Sequence, residues 1–396
     1  MRKEILVIAY SGGLDTSYSL KKLSQEGYEI HAVSVNTGGF SKNEIETIEA
    51  KAYRMGAFIY KNINALEEFY KKIVKYLLFG NVLKNNTYPL SVSAERIIQA
   101  VEIVNYAKKV GAKYIAHGST GAGNDQVRFD LVFQVKAPKI KIISLIRDNK
   151  LSREDEIDYL KSNGIDITWE KAKYSINKGL WGTSIGGSET LTSHLPLPNS
   201  AYPSQLKVKK SIKIELQFEK GEFLGINGTS SDPVALIQQL QEIAKKYAIG
   251  RDIHIGDTII GIKGRVGFEA AAPLILIKAH HLLEKHTLSK WQQFQKDQLA
   301  SFYGMQLHEG QYLDPVMRDI EAFMERSQER VTGTVFVELH PYRFELLGIN
   351  SPFDLMQAEF GSYGEINKGW TADEAKGFIK LTSNSTKIYQ HLKTKK

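Results

Sequence analysis

The segment ILVIAYSGGLDTS, residues 5–17, decides the fold of the first part of this chain. An apolar run typical of a buried strand, residues 5–8, stops before the pair Gly12 and Gly13, and residues 14–23 follow a helical pattern. A strand that turns directly into a helix presents backbone N–H groups and the positive end of the helix dipole to an anion. The segment therefore predicts a loop that binds phosphate.

Two common kinds of phosphate-binding loop are excluded by residues that the segment lacks. No Lys follows the glycines, as a P-loop requires, and the dinucleotide fingerprint G-x-G-x-x-G is absent from it. The spacing S-G-G-x-D-x-S, residues 11–17, instead resembles the loop of the N-type ATP pyrophosphatases. That resemblance implies cleavage of ATP between its α and β phosphates. Taken alone, the glycine pair is also compatible with an ordinary turn between a strand and a helix.

The composition is that of an ordinary globular protein, with 396 residues, 42% hydrophobic and 24% charged. The sequence contains no cysteine, which excludes disulfides, cysteine–zinc sites, iron–sulfur clusters and a cysteine nucleophile. Neither a membrane-spanning stretch nor a signal-peptide pattern is evident, so we expect a cytoplasmic protein with no membrane partner. The net charge of +8 is scattered, which favours small anionic ligands over nucleic acid.

Short β-type runs alternate with helical patterns from the start to about residue 165. The alternation predicts an α/β fold with a doubly wound parallel sheet, in which ligands bind at the carboxyl ends of the strands. The predicted strands are residues 5–9, 30–35, 57–60, 114–117 and 141–146, and a helix is predicted over 95–110. Further along, an α+β region carries β-type runs at 211–218, 259–262 and 333–338.

The chain length and these patterns predict three parts. They are an ATP pyrophosphatase-type nucleotide-binding domain over 1–167, an α+β domain over 168–362 and a C-terminal helix over 363–396. Thr371 and Glu374 form a capping-box pattern at the start of this helix, and apolar residues recur from 378 to 392. Because such a stripe stays exposed unless another subunit covers it, we predict an oligomerisation arm. Docking of the arm on its own subunit is the alternative.

A second dense segment, HGSTGAGNDQVRF at residues 117–129, follows the fourth predicted strand. Its glycines let the backbone approach a ligand closely. Thr120, Asn124, Asp125 and Arg128 add a hydroxyl, an amide, a carboxylate and a guanidinium. An Arg suits a carboxylate and an Asp suits an ammonium, so the set fits an amino acid. A polar loop held together by its own turns is the alternative.

Five segments in this order resemble argininosuccinate synthase. They are AYSGGLDTS (9–17), TYPLSVS (87–93), GSTGAGNDQVRF (118–129), LSREDEIDY (151–159) and YSINKGLWGTS (174–184). The resemblance implies a synthetase that joins citrulline and aspartate while ATP is cleaved to AMP and pyrophosphate, through citrullyl-AMP. It also implies a homotetramer and Mg²⁺ held mostly by ATP and water, with no protein metal site. His280, His281 and His286 lie in a helical pattern and are interpreted as ordinary helix residues.

The resemblance carries site residues onto this sequence. The ATP positions are Ala9, Tyr10, Ser11, Gly12, Gly13, Leu14, Asp15, Thr16, Ser17, Val35 and Gly118. The aspartate positions are Thr120, Asn124 and Asp125, and the citrulline positions are Tyr88, Ser93, Asn124, Arg128, Ser175 and Ser184. Asp15, Asn124 and Arg128 are the candidate catalytic residues.

The sequence departs from the family pattern at three places. Ala122 replaces a Lys, Gly256 replaces a citrulline-binding Glu, and Phe268 replaces a citrulline-binding Tyr. A buried ammonium without its acid is costly, so either another acid replaces the Glu or the substrate amine is uncharged. We favour Asp257 as the replacement; a citrulline acylated on its α-amine is the alternative.

Two other functions remain open from the sequence. One is another ATP pyrophosphatase-type ligase, such as an ammonia-fed amidotransferase-like enzyme, which would not need aspartate. The other is a non-catalytic, nucleotide-binding regulatory module, which would bind ATP without releasing pyrophosphate.

Overall fold

A computed structural model describes residues 3–165, 173–357 and 369–393 of the chain. Both predicted domain boundaries, at 167/168 and 362/363, lie outside these ranges and stay predictions. Within the described ranges, no helix is long and apolar enough to cross a membrane.

The first region is built on five parallel strands. They are β1 Ile5–Ala9, β2 Glu29–Asn36, β3 Ile59–Asn64, β4 Tyr114–Ala116 and β5 Lys141–Ile143. Their order in the sheet is β3-β2-β1-β4-β5, so successive strands are added to one side of β1 and then, from β4 onward, to its other side. The predicted α/β fold is confirmed, although β3 begins two residues after its predicted start of 57. The loops after β1 and β4 meet at this switch point, where doubly wound sheets bind ligands.

Several helices around this sheet begin and end at signals in the sequence. Ser41 and Glu44 form a capping box at the start of the second helix, and Gly56 ends it at φ +105°. The helix predicted to begin at residue 95 begins at Ser91, because Leu90 at φ +59° turns the chain into it. The helices are α1 Leu14–Gln25, α2 Lys42–Met55, α3 Leu66–Phe69, α4 Lys75–Phe79, α5 Ser91–Val110, α6 Asp125–Lys136, α7 Leu145–Asn149 and α8 Arg153–Ser162.

The second region contains two antiparallel sheets. Its strands are β6 Ser175–Gly179, β7 Gly182–Gly186, β8 Ile212–Glu219, β9 Glu222–Ile226, β10 Thr229–Ser230, β11 Arg251–Asp257, β12 Lys263–Glu269, β13 Gly333–His340 and β14 Arg343–Asn350. The sheet orders are β11-β12-β7-β6 and β10-β9-β8-β13-β14. The helices are α9 Pro233–Ala244, α10 Ala271–Thr287, α11 Lys290–His308 and α12 Pro315–Ser327. The predicted strand at 259–262 is wrong: these residues form the turn between β11 and β12, where Gly261 adopts φ +82°.

The largest cluster of buried hydrophobic residues spans both regions, and a separate one lies within the first region. Val33 of β2, Ile97 of α5, Leu216 of β8 and Ile275 of α10 belong to the same buried cluster. The regions also share a backbone hydrogen bond, from the Leu180 amide to the Thr37 carbonyl at 2.9 Å. The hairpin of β6 and β7 is therefore seated beside the loop that follows β2, at the carboxyl edge of the parallel sheet.

The C-terminal arm consists of α13 Ala372–Thr382 and α14 Asn384–Lys393. Thr371 and Glu374 form the predicted capping box. The predicted apolar stripe is exposed, with 71% of Phe378, 72% of Leu381 and 63% of Leu392 open to solvent. The described part of the arm therefore does not dock its stripe on its own subunit.

Candidate active site

The loop after β1 forms a cradle of backbone groups. Gly12 takes φ +75°, and Gly13 precedes α1 with no side chain to cap it. The hydroxyl of Ser11 accepts a hydrogen bond from the Gly13 amide at 3.3 Å, and Lys51 Nζ donates to the Gly12 carbonyl at 3.1 Å. These bonds hold the loop in place, while the uncapped start of α1 offers N–H groups to an anion.

The loop after β4 approaches this cradle closely. A Cβ added at Gly118 would lie 2.9 Å from Thr16 Cγ2 and 3.1 Å from the Thr16 amide nitrogen. Only a residue without a side chain fits there unless the first turn of α1 moves. The imidazole of His117 holds the loop in place. Its Nε2 lies 2.9 Å from Asp130 Oδ1, and its Nδ1 accepts a hydrogen bond from the Ser119 amide.

A cavity of about 970 Å³ joins the two loops. Loops after β1, β2 and β4 and the strand β6 contribute to its walls. This volume is at the upper end of the range for ligand sites, and it is large enough for a nucleotide and a small amino acid together.

Most of the predicted ATP positions face this cavity. Those that line it are Ala9, Tyr10, Ser11, Gly13, Leu14, Asp15, Thr16, Val35 and Gly118. Gly12 and Ser17 are not among the lining residues. Gly12 supplies the turn, whereas Ser17 is fully buried and hydrogen-bonded to the Tyr10 hydroxyl at 3.1 Å. Burial raises the pKa of Tyr10 to about 12, so its hydroxyl stays protonated.

The predicted amino-acid residues form a charge cluster in the wall of the same cavity. Asp125 accepts hydrogen bonds from Arg96 Nε and Arg128 Nη1, both at 3.0 Å. Burial alone would raise the pKa of Asp125, but the two guanidiniums more than offset it and lower that pKa. Asp125 is therefore ionised. Arg128 is 3% exposed, and its Nη2 has no hydrogen-bond partner among the described residues.

Sequence reasoning missed two members of this cluster, Glu95 and Arg96. Arg96 also donates to Glu95 Oε1 at 3.0 Å, and Thr37 donates to Glu95 Oε2 at 2.8 Å. Burial raises the pKa of Glu95 to about 7, although the charge of Arg96 limits the rise. The available signal was the charged pair directly after TYPLSVSA, in a helix whose other residues are mostly apolar.

Glu156 is a third residue that the sequence did not single out. It lies beside Asp15 of the cradle, and burial together with the charge of Asp15 raises the pKa of Glu156 to about 8. Burial also raises the pKa of Asp15. Glu156 is 3% exposed, and its Oε2 has no hydrogen-bond partner in the described chain. Two carboxyl groups next to a phosphate cradle can share a proton or bind a cation.

The predicted substrate residues divide into two groups. Thr120, Asn124, Asp125, Arg128 and Ser175 line the cavity. Tyr88, Ser93 and Ser184 do not line it and are buried nearby. The Ser93 hydroxyl donates to the Leu90 carbonyl at 3.2 Å, and Ser184 of β7 is paired with Phe268 of β12.

Asp257 does not take the position that the sequence analysis favoured for it. It does not line the cavity, and its carboxylate pairs with Lys263 Nζ at 2.6 Å on the exposed surface of the hairpin of β11 and β12. Residues alternate sides along a strand, so Asp257 faces away from the side on which Gly256 is buried. The tip of this hairpin still contacts the site, because the Ile259 amide donates to Asn124 Oδ1 at 2.9 Å.

The histidines of α10 form hydrogen bonds with other side chains of the protein. His280 is fully buried, with its ring nitrogens 2.7 Å from Asn81 Oδ1 and 2.9 Å from Gln328 Oε1. His286 Nδ1 lies 3.0 Å from Asp354 Oδ1. Across the described ranges, no three His, Asp or Glu side chains gather in an arrangement that could hold a metal ion.

A parallel sheet with a phosphate cradle at its switch point defines an α/β nucleotide-binding domain. The family described as arginosuccinate synthase N-terminal HUP domain matches residues 5–166, and the arginosuccinate synthase C-terminal domain matches residues 174–389. The chain belongs to the argininosuccinate synthase family, whose members are ATP-using ligases.

Relatives from distant organisms match the full length of the chain. An argininosuccinate synthase of Methanocaldococcus jannaschii is 38% identical over 398 aligned residues, which cover 100% of both chains. One of Dictyoglomus turgidum is 38% identical over 98% of both chains. One of Xanthomonas campestris pv. campestris is 33% identical over 98% of this chain and 99% of its own.

Proposed function

We propose that this protein ligates citrulline and aspartate to argininosuccinate while it cleaves ATP to AMP and pyrophosphate. The observation that carries the proposal is the single cavity that joins the phosphate cradle to the Asp125 cluster. It allows a nucleotide and an amino-acid substrate to meet at the switch point of the sheet.

The reaction has two steps. The ureido oxygen of citrulline attacks the α-phosphorus of ATP, and the bond to the β-phosphate oxygen breaks, which releases pyrophosphate and leaves citrullyl-AMP. The amine of aspartate then attacks the ureido carbon, the bond from that carbon to the phosphate oxygen breaks, and AMP leaves. The amine loses its protons to water or to a basic group of the site.

The residues have separate roles in this proposal. The uncapped start of α1 binds the triphosphate through its N–H groups and dipole. Thr120, Asn124 and Asp125 hold aspartate, with the Asp125 carboxylate facing its ammonium. Arg128 brings a buried donor, Nη2, to the citrulline side. Charges that the fold holds in place before the reaction stabilise the transition state without reorganising.

Mg²⁺ belongs to the proposal as the ion that neutralises the phosphates. Oxygen ligands suit this ion, and the ATP phosphates and water would supply most of them. Asp15 lines the cavity beside the cradle and would face the ion bound there. All substrates are small soluble molecules, so we assign the reaction to the cytoplasm.

A pyrophosphate-release assay tests the function. With ATP, Mg²⁺, citrulline and aspartate present, we expect steady release, and we expect it to fall to background when either amino acid is omitted during multiple turnovers. A single burst with citrulline alone would report the first step. Release without aspartate at the full rate would instead favour an ammonia-fed ligase, and ATP binding without any release would favour a regulatory module.

The exposed arm supports association of subunits, and the number of four chains rests on the family resemblance. We expect the double substitution Phe378→Asp and Leu381→Asp to lower the particle mass from that of four chains to that of fewer. Unpaired carboxylates in an apolar contact between subunits would destabilise that contact. Light scattering after size-exclusion chromatography measures this mass. A matched control is Asp373→Ala and Lys376→Ala, which removes an exposed ion pair from the same helix. An unchanged mass in the Asp variant would contradict the role of the arm.

A further inference from the structure

Four basic side chains gather around Arg128, one of the residues that line the cavity. The set consists of Lys84, Arg128, His254 and His308, and we call it the basic cluster. Lys84 Nζ lies 2.8 Å from His308 Nδ1, and Arg128 Nε donates to the His308 carbonyl at 3.0 Å. The ring of His254 stacks on Tyr88 at a centroid distance of 5.2 Å. Arg128 lines the cavity, and Tyr88 is one of the predicted citrulline residues, so the cluster adjoins the substrate side of the site.

The donors of this cluster outnumber the acceptors around it. In the described chain, Arg128 Nη2 has no partner, Lys84 Nζ has His308 as its hydrogen-bond partner, and no carboxylate lies within salt-bridge distance of Lys84. The acids that act on Lys84 from further away are Glu309 and Asp257, and Asp257 is paired with Lys263. The remaining near carboxylate, Asp125, is shared between two guanidiniums. A ligand that completes this cluster must therefore supply acceptors and negative charge.

The surroundings of Gly256 explain why no carboxylate from residue 256 reaches the basic cluster. A Cβ added at Gly256 would lie 2.7 Å from His254 Nε2 and 3.2 Å from Asn85 Nδ2. The imidazole of His254 thus fills the space into which a side chain at residue 256 would point. Burial and the charge of Lys84 lower the pKa of His254, so the ring is neutral and offers one N–H donor. An ammonium placed here would face Lys84 and Arg128 without a compensating carboxylate.

His308 makes the cluster a fixed structure. Burial and the charges of Arg128, Lys84 and His254 lower the pKa of His308 to about 3, so its ring stays neutral and accepts from Lys84. Its carbonyl holds Arg128 at the same time. The two cations are therefore positioned by one residue before any ligand arrives, which reduces the entropy lost on binding.

We propose that Lys84, Arg128 Nη2 and His254 bind a carboxylate of the citrulline-type substrate, with Lys84 as its main specificity determinant. The inference rests on the proposed function, since it names the group by which the second amino acid is held. The carboxylate has two possible sources, the α-carboxylate of free citrulline or a carboxylate on an acyl group attached to the α-amine. Both present the same chemistry to Lys84.

Kinetics with three substrates test the proposal and separate the sources. Pyrophosphate release is measured at saturating ATP and aspartate with citrulline, N-acetylcitrulline and N-succinylcitrulline, for the natural protein, Lys84→Met, Lys84→Arg and His254→Phe. We expect Lys84→Met to raise KM for the best substrate by about tenfold or more, with kcat changed by less than about threefold. Lys84→Arg keeps the charge and should restore most of the affinity, and His254→Phe keeps the stacking but should raise KM by about fivefold.

The preferred substrate identifies the source. If free citrulline has the highest kcat/KM and Lys84→Met raises its KM, the α-carboxylate is the group that is bound. If N-succinylcitrulline has a higher kcat/KM than the other two substrates and Lys84→Met removes that preference, the acyl carboxylate is the group that is bound. The matched control is Lys109→Met, an exposed lysine on α5, which should leave KM unchanged. Equal KM values for the natural protein and Lys84→Met with all three substrates would overturn the proposal.

Calorimetric binding separates this inference from the proposed function. Binding of citrulline and N-succinylcitrulline to the enzyme with ATP absent requires no turnover. A Kd raised by about tenfold in Lys84→Met, with Lys84→Gln as a second variant, would support the carboxylate site even if no pyrophosphate is released. An unchanged Kd in both variants would overturn it, whereas absence of turnover alone would count only against the proposed reaction.

Discussion

Replacing Gly118 with alanine is expected to lower kcat/KM for ATP by at least about a hundredfold. The added Cβ would meet the side chain and the amide of Thr16 at 2.9 and 3.1 Å, so the first turn of α1 must move away from the phosphates. A displacement of this size disrupts a cradle made of backbone N–H groups, since they have no rotamer freedom with which to adjust. Pyrophosphate release against ATP concentration measures the loss.

Gly121 provides a matched control in the same loop. A Cβ there would have Arg147 Cγ as its nearest neighbour, at 3.6 Å, which is an ordinary contact. We expect Gly121→Ala to keep kcat/KM within about threefold of the natural value, because the loop has room for a methyl group. Both variants should unfold at temperatures within a few degrees of the natural protein. Full activity of Gly118→Ala would show that the cradle does not bind the triphosphate.

Replacing Asp125 with alanine is expected to raise KM for aspartate by about thirtyfold or more, which corresponds to roughly 2 kcal/mol. The substitution removes the carboxylate that faces the aspartate ammonium. In the natural protein Arg96 and Arg128 each lie 3.0 Å from Asp125, and the substitution leaves these two guanidiniums without the acid that they share. ATP binding should be largely retained, because the ion-pair partners of Asp125 are Arg96 and Arg128 and not residues of the cradle. The KM values for ATP and aspartate, measured separately, distinguish these effects.

Asp148→Ala is the comparison variant for this experiment. Asp148 accepts from Arg147 Nε at 2.9 Å, but its side chain is 56% exposed, so its loss should be nearly neutral. An aspartate KM that stays unchanged in Asp125→Ala would remove Asp125 from the proposed aspartate site.

The local features of the fold could be predicted from the sequence because short-range chemistry determines them. The capping boxes at Ser41 and Thr371 and the helix end at Gly56 depend on residues three or four positions apart. The meeting of the two ligand loops also followed from the sequence, since parallel strands present their carboxyl ends at one edge. The start of α5 did not, because it depends on a positive φ at Leu90, a residue that rarely adopts one.

The parts of the site that escaped prediction depend on long-range packing. Asp257 matched the required chemistry and lay next to Gly256, yet strand alternation turns it to the surface, where Lys263 pairs with it. The basic cluster joins Lys84, His254 and His308 from three separate segments, and no motif connects these segments in the sequence. Glu95 and Arg96 stood next to a recognised segment, but only the fold shows that they face Asp125.

The hydrophobic core that runs through both regions couples ligand binding to the stability of the whole chain. Val33 in the wall of the ligand cavity and Leu216 of β8 belong to the same buried cluster, so the two regions share a large part of their interior. The two should consequently melt as a single cooperative unit. By thermodynamic linkage, a nucleotide held at one edge of the parallel sheet then protects distant β-strands that it never touches against unfolding.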